Sequence, residues 1–425
     1  MWYTLTLEAR DGSRRDIRYN PHTSEIEGID LGNIDARDWL TAPRVSKSTP
    51  IGKSRAPKVL KIQLGLSCNY SCSYCSQAFQ IGDATVSKLT DVEAFLSNLG
   101  VWLEGAPERV ELWGGEPFVY WAKLRRLIPA LAERFPQARF LIITNGSLLN
   151  REKLDLIAHY DIDIGLSHDG PGQDQRGPDP LEHPEQRRWI EALLKERKGH
   201  VSINTVLTVQ NHDLAAIKAW FQERLGREVP LSLEGVVNVY DAATLLGPGR
   251  FEEADLNALR RSVFESLVTD PEAFGLGQRL QDFLTSLKTR RPIAALGQKC
   301  GMDRPENIAV DLQGNVMTCQ NTGAKGAHKI GHVEAFEDIA LDTATHFAFR
   351  EECLSCPVVQ ICKGSCMFLE GAFFKQSCAN EFAFNFGILM AAVWHLTGMV
   401  VVGAEAARRP RDRDELAERL RDGRF

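Results

Sequence analysis

Three cysteines, Cys68, Cys72 and Cys75, stand at C-x3-C-x2-C spacing in the eight-residue run CNYSCSYC. Three thiolates on one short loop can hold an iron–sulfur cluster and leave one iron open to a small molecule. A structural zinc or buried thiols are the alternatives. Structural zinc is usually closed by four ligands, and no fourth Cys or His lies close by in sequence. Seven more cysteines follow: Cys300, Cys319, Cys353, Cys356, Cys362, Cys366 and Cys378. Here C-x2-C with a later C-x3-C is also legitimate zinc-ribbon spacing.

Polar residues suited to an amino-acid-like ligand recur between the two cysteine groups. Gly114-Gly115-Glu116-Pro117 sets two glycines, which permit close backbone approach, beside a carboxylate that can pair with an ammonium. Thr144-Asn145-Gly146 and Ser167-His168-Asp169-Gly170-Pro171 come next. Arg176 can grip a carboxylate bidentately, with Arg187 and Arg188 as rivals, and Asn204 is a further candidate contact. Taken singly, each fits a strand-end cap or turn equally well.

The elements that must position these residues are strand-like runs at 59–67, 109–115, 139–146, 161–167, 200–208 and 229–237, with amphipathic helical patterns such as AKLRRLIPALAERF between them. Six such units predict parallel strands with right-handed crossovers. The Gly-rich and polar signals fall just after the strands. The expected fold is therefore α/β, a partial (β/α)6 TIM-like barrel with its site at the strands' C-terminal ends. The expected divisions are a small β-rich N-terminal segment (1–55), the barrel (56–290), a cysteine-rich domain (291–400) and a charged tail (401–425). For the N-terminal segment two roles stand: strand edges to which a peptide adds, or a hairpin covering the barrel's bottom.

The chain has 425 residues, 44% hydrophobic and 25% charged, with a net charge of −6. That length suits two domains or a barrel with an appendage, and that charge argues against a nucleic-acid partner. The N-terminus has no basic region followed by an apolar core, so it does not read as a secretory signal. A reducing cytoplasm is the expected compartment, where ten cysteines are metal ligands rather than disulfides. The apolar stretch 382–402 contains Asn385, Gly387, His395 and a Thr397-Gly398 break. It reads as a buried helix followed by a short strand or loop, not as a membrane span.

CNYSCSYC after a first strand resembles the signature of the radical S-adenosylmethionine (radical SAM) superfamily. The resemblance implies that Cys68, Cys72 and Cys75 ligate a [4Fe–4S] cluster whose open iron binds SAM. An electron from that cluster would release a 5′-deoxyadenosyl radical that abstracts a substrate hydrogen, while the protein orients the cofactors. It also implies SAM contacts from Tyr74 (adenine), Gly114, Gly115 and Glu116 (amino group), Asn145, Ser167 with Arg176 (carboxylate or ribose) and Asn204 (ribose or methionine). A ring packed beneath the loop is an equally compatible role for Tyr74. No catalytic residue beyond these is implied.

The later seven cysteines, with Gly314 between Cys300 and Cys319, are similar in every spacing to the SPASM domain that follows radical SAM barrels in peptide- and protein-modifying enzymes. The similarity implies two auxiliary [4Fe–4S] clusters, one on Cys353, Cys356, Cys362 and Cys378 and one on Cys300, Cys319 and Cys366, hence three clusters in all. Some relatives add an eighth cysteine shortly before the position of Cys300, but PIAALGQK here holds none. Anaerobic sulfatase-maturating enzymes carry a general-base Asp directly after the second SPASM cysteine. Gln320 stands there, and an amide cannot take a proton at neutral pH. The resemblance thus implies a maturase of ribosomally made precursor peptides, forming a thioether or carbon–carbon cross-link or another oxidative change. Formylglycine formation on sulfatases is the runner-up, and an iron–sulfur electron carrier or a zinc-stabilised interaction protein are readings from other classes. The implied partners are a precursor peptide and an electron donor such as flavodoxin or ferredoxin, with no membrane partner.

Overall fold

The computed structural model describes residues 1–32, 35, 39, 45–78 and 87–407. The chain opens with β1 (Trp2–Glu8), β2 (Arg14–Asn20) and β3 (Glu25–Glu27). Tyr3, Leu5 and Leu7 alternate inward with partly exposed neighbours, the period-two pattern of a sheet with one packed face. From β4 onwards strands and helices alternate. These are β4 (Val59–Gln63), α1 (Thr90–Trp102), β5 (Arg109–Trp113), α2 (Trp121–Arg134), β6 (Arg139–Thr144), α3 (Arg151–His159), β7 (Asp163–Ser167), α4 (Pro184–Glu196), β8 (Val201–Leu207), α5 (Leu214–Leu225) and β9 (Leu231–Val236).

These six strands pair in parallel in sequence order. Leu60, Ile62, Val110, Leu112, Ile142 and Ile164 form the sheet's buried layer, and Leu99, Leu124, Leu127, Ile157, Ile190 and Ile217 bury the helices upon it. This is the α/β partial barrel that the alternation predicts. β4, β5 and β6 end two to four residues earlier than predicted and β7, β8 and β9 within one residue of the prediction; at the first strands the motif residues leave the ladder and follow one another: Leu64 N donates to Trp113 O (2.7 Å), Gly115 N to Gly65 O (3.1 Å) and Glu116 N to Ser67 O (3.0 Å).

After β9 come α6 (Ala242–Leu246), α7 (Glu253–Thr269) and α8 (Leu276–Thr289). The sheet then resumes: β10 (Asn307–Asp311) pairs in parallel with β4, and β11 (Asn315–Met317) and β12 (Lys329–His332) add antiparallel beyond it. Part of the segment expected as a separate cysteine-rich domain therefore extends the barrel's own sheet. Short α9 (Glu351–Leu354) and α10 (Val359–Cys362) carry cysteines, and α11 (Gly371–Thr397) packs on α7 and α8.

The stretch expected as a buried helix is buried: Phe384, Ile388, Leu389, Ala391 and Ala392 are at most 1% exposed. Gly387 permits the close crossing, since a Cβ there would meet Arg260 O at 2.7 Å. Among the described residues no helix is long and apolar enough to cross a membrane.

One expectation is corrected. Residues Val400–Ala407 are not tail but β13, which pairs antiparallel along the whole of β1, so that one sheet runs β13-β1-β2-β3; the rest of the expected tail, 408–425, lies outside the described residues. The N-terminal sheet lies against the cysteine-rich half. It docks on α8 and the α9–α10 segment: Tyr19 meets Phe283 edge-on at 5.9 Å, Tyr3 Oη donates to Ser355 O, and Gln360 Nε2 donates to Pro21 O (2.8 Å).

Candidate active site

The loop carrying Cys68, Cys72 and Cys75 is held from both sides. Tyr120 Oη receives Ser67 N at 2.7 Å, and Tyr70 Oη donates to Pro178 O at 2.8 Å. Asn145 Nδ2 donates to Asn69 Oδ1 (2.9 Å), whose Nδ2 reaches Ser147 Oγ (2.8 Å). On the far side Ser73 N donates to Gln175 O at 2.8 Å, and Tyr74 Oη donates to Asp169, a carboxylate that also receives Arg176 Nη2 (2.9 Å) and Val206 N (2.9 Å). Asp169 is thus the hub joining the cysteine loop, Arg176 and β8. The sequence shows it only as one letter of a motif, because its partners lie 95 residues upstream and 37 downstream.

Glu116 is 1% exposed and accepts from Phe118 N (3.0 Å), Thr144 Oγ1 (2.7 Å) and Asn145 N (2.8 Å). Burial raises its carboxyl above the ordinary range, against the pull of those hydrogen bonds. The paired glycines answer to the protein's own backbone: a Cβ on Gly115 would lie 2.4 Å from both Leu66 O and Ser67 O, and one on Gly114 would lie 3.2 Å from Gly65 O. They let β5 exit directly beneath the cysteine loop.

One cavity of about 970 Å3 opens over the strand ends. Its wall includes Cys68, Cys72, Cys75, Tyr74, Gly114, Gly115, Glu116, Asn145, Ser167 and Arg176. Cys300, Cys319 and Cys366 line the same cavity. The loop after Cys319 is fixed there by Gln63 Nε2, which donates to Gln320 O (2.7 Å) and Thr322 O (2.9 Å). Cys353, Cys356, Cys362 and Cys378 gather elsewhere, around a small separate pocket with Val358, Val359 and Phe374.

Asn204 is the expected contact that does not line the large cavity. It lies over Gly165, whose missing Cβ leaves room for its Nδ2. The rivals Arg187 and Arg188 stand away from the wall, Arg187 on Glu191 and Arg224 O and Arg188 over the Trp189 ring. Sequence reasoning missed Glu234 on β9 and Tyr240 beyond it, both lining the cavity. Neither belongs to a recognisable motif. Glu234 is exposed to the cavity, and the surrounding protein raises its carboxyl, with Arg176 opposing.

Burial, with neighbouring thiols adding to it, pushes Cys72, Cys319 and Cys353 up to about 12, and burial with the Glu352 and Glu381 carboxylates adding pushes Cys378 up to about 11. Such sulfurs become thiolates when a cationic group charges the site. Among the described residues no three His, Cys, Asp or Glu side chains close on a single metal ion. Two buried polar atoms on the cavity wall, Arg176 Nε and Gln320 Oε1, have no hydrogen-bond partner in the protein, as a wall built for a bound group requires. The residues therefore fit an iron–sulfur centre with a polar ligand beside it.

The site is a three-cysteine loop set after the first strand of a parallel partial barrel. Residues 62–217 match the family model described as "Radical SAM superfamily", and the chain carries a radical SAM domain, which implies a [4Fe–4S] cluster and SAM. Among curated proteins it is similar to "Radical SAM cyclopropyl synthase TigE" of Paramaledivibacter caminithermalis, 22% identical over 175 residues, which is 37% of this chain and 36% of the relative. It is also similar to an "S-adenosylmethionine-dependent nucleotide dehydratase" of Psychrobacter lutiphocae, 32% identical over 115 residues, 24% of this chain and 37% of that one. The chain thus spans little more than a third of the length of either. Among solved structures, "Native anSMEcpe with bound AdoMet" shares the fold at a TM-score of 0.57 and 16% identity, over 79% of this chain and 99% of that one.

Proposed function

We propose that this protein is a radical SAM maturase that modifies a ribosomally made precursor peptide, forming a thioether or carbon–carbon cross-link or a comparable oxidative change, with Cys300, Cys319 and Cys366 and then Cys353, Cys356, Cys362 and Cys378 holding two auxiliary [4Fe–4S] clusters of a SPASM-type domain. The observation that carries this reading is the shared cavity: two cysteine trios, one from the barrel and one from the cysteine-rich half, line a single space. At about 970 Å3 that space lies near the top of the range for ligand sites, large enough for a nucleoside cofactor and a segment of substrate.

When bound, the reduced cluster on Cys68, Cys72 and Cys75 would supply the electron that splits SAM into methionine and the 5′-deoxyadenosyl radical. The chain's residues do the orienting. Glu116 presents an anionic oxygen for the SAM ammonium, Arg176, locked by Asp169, presents a guanidinium for carboxylate or ribose oxygens, and Tyr74 offers a ring face for the adenine. Gln320, an amide, cannot serve as general base, which weighs against formylglycine formation. A cytoplasmic location and a flavodoxin- or ferredoxin-type electron donor belong to the same reading.

The test is anaerobic purification with iron and sulfide analysis, followed by incubation with reductant and SAM. About twelve irons per chain and release of 5′-deoxyadenosine are expected, with the release abolished when Cys68, Cys72 and Cys75 are all changed to Ala. Zinc in place of iron, or release that persists in the triple variant, overturns the assignment. A sulfatase-derived Cys or Ser peptide is expected to remain unconverted.

A further inference from the structure

The short segment that leaves β9 and enters α6 is fastened to both cysteine sets. Val237 N donates to Leu207 O at 2.9 Å, closing the barrel end. Asn238 Oδ1 receives Ser365 Oγ (2.9 Å), the residue before Cys366, and Val239 N donates to Ser377 Oγ (2.8 Å), the residue before Cys378. Asp241 then caps α6 by accepting from Thr244 N at 2.7 Å.

Between these fixed points sits Tyr240. Its ring packs against the small core of Leu296, Phe347, Cys353, Val359, Leu369 and Phe374. Its hydroxyl hydrogen-bonds the Cys366 side chain, and the residue lines the large cavity with Cys300 and Cys319. A sulfur bound to iron carries no proton, so in that state the phenol must be the donor.

We propose that Tyr240 is a positioning residue for the cavity-facing auxiliary cluster: its hydroxyl donates to the Cys366 sulfur and raises the reduction potential of that cluster, while its ring walls that cluster off from the second set. The inference rests on the reading that Cys300, Cys319 and Cys366 hold an iron–sulfur cluster. Hydrogen bonds to ligand sulfurs are among the determinants of cluster potential. The reduced cluster is the more negative state, so a donor to its sulfur stabilises it more than the oxidised one. This set has three cysteines where the other has four, and the phenol supplies it with a polar neighbour that no motif announces.

The experiment is an anaerobic redox titration read by electron paramagnetic resonance, comparing the chain with its Tyr240→Phe variant, both carrying Cys68, Cys72 and Cys75 changed to Ala so that only auxiliary signals remain. Phe keeps the ring and removes the hydroxyl. The signal that disappears in Cys300→Ala identifies the cavity-facing cluster. Its midpoint is expected to move to lower potential in Tyr240→Phe, with the other signal and the iron content unchanged. An unmoved midpoint, an equal shift of both signals, or iron lost with the hydroxyl overturns the proposal. If the chain with intact Tyr240 shows no signal dependent on Cys300, the cluster reading itself fails and this inference with it. If that signal is present but unmoved, the tuning role fails alone.

Discussion

Glu116 does at residue scale what the GGEP run could not announce: it accepts three hydrogen bonds and so ties the β5 exit to the end of β6. Glu116→Gln must aim an amide NH2 at one of those donors and leave a buried N–H or hydroxyl poorly paired. A loss of about 1–3 kcal/mol is expected, read as a lower denaturant midpoint. Because Asn145 passes the support on to Asn69 of the cysteine loop, the variant is also expected to retain less iron. The residue types and spacings were legible in the sequence, but their partners were not. Tyr74 finds Asp169, Asn69 finds Asn145 and Gln63 finds Gln320 O across separations that no local pattern encodes.

Lys53 offers a pH signature. Burial pulls its ammonium from the ordinary 10.5 down to about 8, with Asp303 opposing, while Nζ donates to Met302 O (2.6 Å) and Arg304 O (3.2 Å). Between pH 8 and 10.5 the unfolded chain therefore holds more proton at this site, and its contribution to stability rises with pH through that window. Measured against Lys53→Met, the original protein is expected to gain stability between pH 8 and pH 10.

At the scale of elements, the six barrel strands were legible because each is a short apolar run followed by a polar or glycine break. The ends of β4, β5 and β6 were misplaced because the same glycines that end the ladder still look strand-like in sequence. β10 to β12 went unread, since the cysteines dominate that stretch and the apolar run IAVD is short. Two elements make quantitative demands. Gly115→Ala sets a methyl against two backbone oxygens, which cannot turn away as a side chain could. The expected result is a displaced cysteine loop and loss of SAM affinity by calorimetry. Gly387→Ala overfills the α7–α11 crossing and is expected to cost about 1–3 kcal/mol, measured by chemical denaturation.

Over the whole molecule, the first and last described strands share a sheet, with Trp2 opposite Ala407 and Glu8 opposite Val400. This pairing was hidden because the charged run after residue 407 outweighs the apolar VVVG before it. Truncation after Gly398 bares the edge of β1, an invitation to intermolecular pairing, and light scattering is expected to report aggregation at temperatures where the longer chain stays clear. The sheet also rests on the α9–α10 segment, which carries three of the four cysteines of the second set. β13 follows all ten cysteines in the chain. Cys378, the last of them, precedes Val401 by 23 residues, so at about 5–20 residues per second of synthesis roughly 1–5 seconds separate the emergence of the complete second set from that of β13. Throughout that interval the second cysteine set lacks its completed cover on the nascent chain. On the proposed reading of that set, a cluster that arrives after those seconds has to reach thiols over which the sheet has closed.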